Sequence, residues 1–142
     1  MHSSVTLIQQ AAAQIATVQT AHGVVADVGC ALESSTGQLF YGVCVGRDLG
    51  SICAERSAIA TMITATRTYH IKRIVAVWKD AEGAIFVIPP CGHCRQFMVD
   101  VHPQNVYETQ VILSHDIVVP LATLLPYHDW WQKQPAQLDT VH

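Results

Sequence analysis

Charge is scarce in this chain: 13% of its residues are Asp, Glu, Lys or Arg, about half the share usual in soluble domains. Its eight Lys and Arg are scattered among eleven Asp and Glu, for a formal charge of −3, so no basic stripe exists to neutralise a phosphate backbone. Long nucleic acid is therefore not an expected partner. Long apolar runs are missing as well. None approaches the roughly 18 residues that cross a bilayer, and the stretch from Val5 to Val18 is interrupted by Gln9, Gln10 and Gln14. Neither a membrane span nor a signal peptide is expected. There is no internal repeat, low-complexity segment or linker. With 142 residues the chain has the size of one compact domain, which we expect over 1–133, followed by a polar tail over 134–142.

Cysteine is present but sparse. Five cysteines, at 30, 44, 53, 91 and 94, are odd in number and lack the density of a secreted disulfide scaffold. A reducing cytoplasm fits, with some thiols available to a metal. Half the residues are apolar, and with so few charges some of the surface is expected to be covered, most simply by subunit contacts.

The apolar spacing predicts a helix over Val5–Val18, capped by Ser3 or Ser4, with Leu7, Ala11, Ile15 and Val18 on one face. Val24–Leu32 and Gln38–Val45 read as a hairpin around Ser34-Ser35-Thr36-Gly37. A second helix is expected over Ile52–Thr66, a strand over Ile71–Lys79 and an extended piece over Ala84–Ile88 that Pro89-Pro90 halts. A third helix should run from the Cys91–Cys94 segment to about Val101, with strands at Val111–Leu113 and Ile117–Val119 and a short helix at Leu121–Leu125. That order predicts an α/β protein, a mixed sheet of about five strands covered by helices.

The chemistry concentrates in Cys53-Ala54-Glu55 and Pro90-Cys91-Gly92-His93-Cys94. A catalytic zinc site uses three protein ligands and keeps a fourth position for water. Cys91 and Cys94 can grip one ion from a single turn, and Cys53 completes the set if the two helix starts lie side by side. Glu55 is a poor fourth ligand, since filling the open corner would leave no water to activate, and it reads better as a proton carrier. The alternative is a closed structural site, with His93 as fourth ligand. Tyr127, Trp130 and Trp131 form an aromatic group that can cover a pocket or pack in the core.

Cys-x-Glu followed by Pro-Cys-x-x-Cys resembles the zinc deaminases of the cytidine deaminase superfamily. The likeness to its small three-cysteine members runs from Val28-Gly29-Cys30-Ala31-Leu32 through Gly42 to Leu124-Leu125-Pro126. It implies a three-layer α/β/α sandwich, bound Zn2+, hydrolytic removal of an amino group from a cytosine-type ring in a small molecule, and a homotetramer. In such an enzyme Glu55 shuttles protons. Three thiolates leave a net negative zinc site, so helix N-termini and Arg56, three residues after Cys53, are expected to offset the charge, with Arg95 assisting. Candidate substrate contacts are Cys44, Ala54, Tyr127 and Trp130.

The chain departs from the pattern on the second hairpin strand. Cytidine deaminases of this type hold ribose with an Asn and a Glu, where this chain has Cys44 and Gly46. A thiol and a hydrogen cannot replace an amide and a carboxylate. An aromatic usual in the family is replaced by Ala26. The loop from Gly42 to Cys53 has the length seen in blasticidin S deaminases, and Leu124-Leu125-Pro126 followed by aromatics is similar to their C-terminal end, although they keep an Asn at the Cys44 position. Arg47 and Asp48 are possible substitutes for specificity contacts. The alternatives are thus a blasticidin S-type deaminase and a catalytically idle zinc fold that binds a small ligand or partner.

Overall fold

The computed structural model describes residues 2–46, 50–129 and 134–139. Helix α1 (Ser4–Ala13) starts where Ser3 Oγ accepts the Thr6 N–H at 3.1 Å. It stops at Ala13, short of Val18, because Val18 and Thr20 are β-branched and enter a ribbon of their own. Strands β1 (Val18–Thr20) and β2 (Gly23–Val25) pair antiparallel in that ribbon. The expected first hairpin strand is therefore split, and its remainder is β3 (Val28–Ser34), paired antiparallel with β4 (Leu39–Val43).

The main sheet is the expected mixed one, with six strands, five along its path and one beside it. Its order is β4, β3, β5 (Ile71–Lys79), β7 (Gln110–Ile112) and β8 (Val118–Pro120), with β6 (Ile85–Ile88) also on β5. Nine-residue β5 is long enough to share one edge. Arg73 and Ile74 pair parallel with β7, while Ala76–Lys79 pair antiparallel with β6. Helix α2 (Ala54–Thr66) follows β4, and α3 (Gly92–Val101) follows β6.

The sheet is buried on both faces, since alternate strand residues point in opposite directions. Ala31, Val75, Val77 and Ile112 meet Leu7 and Ala11 of α1. Cys30, Leu32, Ile74 and Val111 meet Ala58, Ile59 and Met62 of α2 and Met98 of α3. Each large side chain removed from water in this way contributes roughly 1.5–3 kcal/mol. The result is the expected three-layer sandwich.

Two contacts set where α2 and α3 begin and end. Gly42 lets β4 touch α2, because a Cβ there would lie 2.4 Å from the Ala58 nitrogen and 2.5 Å from the Ala54 oxygen. A short helix, α4 (Asn105–Glu108), falls where no regular element was expected. Its fully buried Asn105 accepts from the Ile71 N–H at 3.0 Å and donates to the Met98 carbonyl at 2.8 Å and the Tyr69 carbonyl at 3.2 Å, joining β5 to α3. Leu121–Leu124 form a 3-10 helix instead of an α-helix. Residues 134–139 are exposed and carry no regular structure. Among the described residues no helix is long and apolar enough to cross a membrane.

Candidate metal centre

Both α2 and α3 are capped by a cysteine. Cys53 (φ −70°, ψ 151°) and Cys91 (φ −67°, ψ 165°) take the extended conformation of an N-cap, and neither sulfur closes a capping hydrogen bond. Pro89-Pro90 hold the approach to Cys91 extended, as prolines do. A Ser or Asp at these positions would turn its oxygen back to the helix, whereas here the sulfurs are left for other partners. Cys53 Sγ and Cys91 Sγ are 4.0 Å apart, and with Cys94 Sγ all three lie within 4.8 Å of one another. Sulfurs at about 2.3 Å from a tetrahedral zinc are roughly 3.8 Å apart, so the cluster fits the ion with a small contraction.

Among the described residues no fourth His, Asp or Glu atom joins this cluster, and His93 is exposed. Among the described residues the donor set is thus three sulfurs, the number of protein ligands a catalytic zinc site takes. The helix starts supply positive partial charge. Burial would raise the Cys91 pKa, but the backbone N–H groups of Cys94 and His93 and its neighbours' thiols together hold it below the ordinary thiol value. Burial pushes Cys53 up, and burial followed by the Glu55 charge pushes Cys94 far up.

Glu55 is 5% exposed. Burial raises its pKa, against a Cys94 hydrogen bond and the Arg56 charge, which lower it. A divalent cation at the sulfurs would favour the carboxylate further. Arg56 donates from Nη2 to the Ser51 carbonyl at 3.1 Å, and its buried Nε has no partner among the described residues. Its link to the site is the field it exerts on Glu55. Arg95 donates to the Pro90 carbonyl at 2.7 Å and the Leu124 carbonyl at 3.0 Å, tying the metal loop to the C-terminal segment.

A cavity of about 170 Å³ opens on the cluster, lined among others by Val28, Cys44, Ala54, Glu55 and Pro89. Cys44 and Ala54 therefore share a wall with Glu55. Burial and the Asp27 hydrogen bond raise the Cys44 pKa, so it faces the cavity as a thiol. Gly46 adopts φ +78°, and a Cβ there would press on the Gly50 carbonyl at 3.0 Å. A side chain at 46 is disfavoured in this backbone, which removes that position as a substrate grip. Tyr127 is fully exposed on this chain and does not line the cavity. Trp130, Trp131, Arg47 and Asp48 lie outside the described residues. Cys30 is fully buried on the α2 face of β3, where burial and then the Glu55 charge push its thiol well up; it packs as a small apolar group. Sequence reasoning missed Asp27, which accepts from the Cys44 thiol, and Trp78, whose indole N–H donates to Asp27. An aspartate in a loop carries no local signal beyond turn chemistry.

A sequence model for the cytidine and deoxycytidylate deaminase zinc-binding region matches residues 1–109, a span that contains all three clustered cysteines and Glu55. A probable cytidine deaminase of Dictyostelium discoideum is 34% identical over 80 residues, 51% of this chain and 48% of the relative, so the match spans about half of that protein's length. Crystal structures of cytidine deaminases superpose over 89% of this chain. The Burkholderia pseudomallei protein gives a TM-score of 0.69 at 26% identity over 98% of its chain, and the Mycobacterium leprae protein 0.67 at 26% over 99%. The Mycobacterium tuberculosis protein gives 0.71 over 97% of its chain, at 21% identity, and so speaks to the fold alone. A sheet covered on both faces, two cysteine-capped helix starts and a matching family sequence over most of its length agree: this chain belongs to the cytidine and deoxycytidylate deaminase zinc-binding family.

Proposed function

We propose that the chain is a zinc-dependent hydrolase that removes the amino group from a cytosine ring in a nucleoside or nucleoside analogue. The observation that carries this reading is Glu55, a buried carboxyl in the wall of the same cavity that Cys53 and Cys91 line. Cys53, Cys91 and Cys94 would hold the zinc, which supplies a Lewis acid and an acidified water at the open corner. Glu55 takes a proton from the attacking water and delivers it to the ring nitrogen beside the reacting carbon, then takes the remaining proton of the hydroxyl now on that carbon and gives it to the leaving amino group, which departs as ammonia. Water and the amino-bearing ring thereby become a ring carbonyl and ammonia. Ala54 and Cys44 bound the ring, and the N–H groups at the start of α3 temper the thiolate charge.

The assay is ammonia release over cytidine, deoxycytidine, cytosine, acylated cytidines and blasticidin S. Glu55→Gln should keep bound zinc and Tm yet lose at least about 100-fold in kcat, the usual scale for removing a general acid-base group. If that variant turns over every productive substrate at the parent rate, Glu55 is not the proton carrier. Zinc content without turnover of any cytosine compound would favour the idle zinc fold. The same reading includes a cytoplasmic homotetramer. Five free cysteines support a reducing compartment, and a groove of about 500 Å³ between Val45, Ile52 and the small residues Ala60, Thr61 and Ala65 of α2 supports subunit packing.

A further inference from the structure

Cys44 and Gly46 leave the second hairpin strand without a polar grip on the part of a substrate that does not react. Behind Cys44, however, stands a carboxylate. The Cys44 thiol donates to Asp27 Oδ1 at 3.1 Å, and Asp27 Oδ2 accepts from the Trp78 indole Nε1–H at 3.2 Å. Asp27 is held firmly by its backbone. Ala26, in the left-handed region at φ +57°, donates its N–H to the Cys44 carbonyl at 3.0 Å, and the Asp27 carbonyl accepts from the Lys79 N–H at 2.9 Å. Alanine takes that conformation only where its surroundings impose it.

The aspartate is linked to the reaction cavity through the Cys44 side chain. Its Cys44 partner lines the 170 Å³ reaction cavity, while Asp27 itself, with Trp78 and Asp80, lines a second cavity of about 220 Å³. The first is below the roughly 300–1,000 Å³ of ordinary small-molecule sites, room for a ring with little to spare. A ring therefore fits beside Glu55, and a substituent directed along the Cys44 wall would meet Asp27 behind it. A carboxylate offers about four acceptor positions and S–H is a weak donor, so a hydroxyl or ammonium readily displaces Cys44 or adds beside it. The other acidic group there, Asp80, already accepts the Ala84 N–H at 2.8 Å.

We propose that Asp27 is a specificity-determining residue, whose carboxylate anchors a hydrogen-bond-donating substituent on the substrate ring, either sugar hydroxyls or a cationic amine, reaching past Cys44. This rests on the deaminase reading for the placement of the ring beside Glu55. The test is equilibrium binding by calorimetry to zinc-loaded Glu55→Gln protein, which turnover does not complicate. Four probes are used: cytosine, 1-methylcytosine, cytidine and a 1-(aminoalkyl)cytosine. Adding Asp27→Asn keeps an oxygen for the Trp78 indole and should weaken cytidine or the aminoalkyl compound about 10-fold or more, with 1-methylcytosine changed less than threefold. Which of the two weakens separates hydroxyl from cation recognition. Equal weakening of all four probes, no weakening of any, or no binding of any probe overturns the anchor. Should Asp27→Asn lower Tm, Cys44→Ala removes the thiol that occupies Asp27 Oδ1 and should keep or raise the affinity for the anchored probe relative to 1-methylcytosine; a collapse of that ratio refutes the assignment to Asp27. Wild-type protein that binds cytidine through Asp27 but releases no ammonia sinks the deaminase reading and leaves the anchor standing.

Discussion

Replacing Gly42 by alanine adds one methyl group where α2 crosses β4. The new Cβ would lie 2.4 Å from the Ala58 nitrogen, 2.5 Å from the Ala54 oxygen and 2.8 Å from the Ser57 Cβ. The first two are backbone atoms and cannot rotate away. Restoring a contact of roughly 3.5 Å requires α2 to retreat by about 1 Å. Overpacking of this kind costs about 1–3 kcal/mol, and backbone on both sides puts Gly42→Ala near the upper end. At about 2–4 °C per kcal/mol for a domain of this size, Tm should fall by roughly 6–12 °C. The displaced turns are the ones that carry Cys53 and Glu55, so function should suffer beyond stability. A misplacement of about 1 Å in a reacting group is worth on the order of 100-fold in rate. Thermal unfolding, zinc content and ammonia release on folded protein at low temperature measure the two effects separately. A variant with Tm within 2 °C of the parent, by the same scale, and with full zinc and rate would refute the claim that this crossing sets the α2 start.

Two further outcomes follow from the same geometry. Asn105→Ala removes three hydrogen bonds at a fully buried position and strands the Ile71 N–H and the Met98 carbonyl; urea unfolding should register a loss of about 2–4 kcal/mol, and a loss below about 0.5 kcal/mol would show that β5 and α3 do not depend on it. In protein stripped of metal by a chelator, iodoacetamide should label Cys91 first, because its pKa is held below the ordinary thiol value, while Cys30 and Cys94 are buried and shifted up. A lowered pKa keeps Cys91 a thiolate to lower pH, so its labelling should fade at a lower pH than that of Cys44, whose pKa is raised. Peptide mass spectrometry that finds Cys44 labelled ahead of Cys91 at pH 8 would contradict this ordering.

Much of the site was legible because its signals are local. Cys53-Ala54-Glu55 and Cys91 to Cys94 each sit within one helical turn, so spacing alone fixes how the side chains relate inside each segment. The helices α2 and α3, and β5 to its exact ends, were equally readable from apolar periodicity and proline punctuation. Other elements were not. The four-residue α4 depends on a partner distant in the chain, whereas the end of α1 and the β1–β2 ribbon were missed because a short run of Val, Gln and Thr reads alike as helix end or strand.

The sequence by itself pointed to Cys53, Cys91 and Cys94 as candidate donors and, through its family resemblance, to Glu55 as candidate proton carrier, while its order of elements pointed to a mixed sheet covered by helices, since residue type, motif and periodicity carry these. Only the tertiary structure decided that 38 residues of chain close to bring Cys53 and Cys91 sulfurs to 4.0 Å, that Arg56 turns to Ser51, and that Asp27 stands behind Cys44. The Cys53–Cys91 and Cys44–Asp27 contacts join segments distant in the chain, and nothing in the local order of residues encodes which atoms the packing of helices and strands brings together.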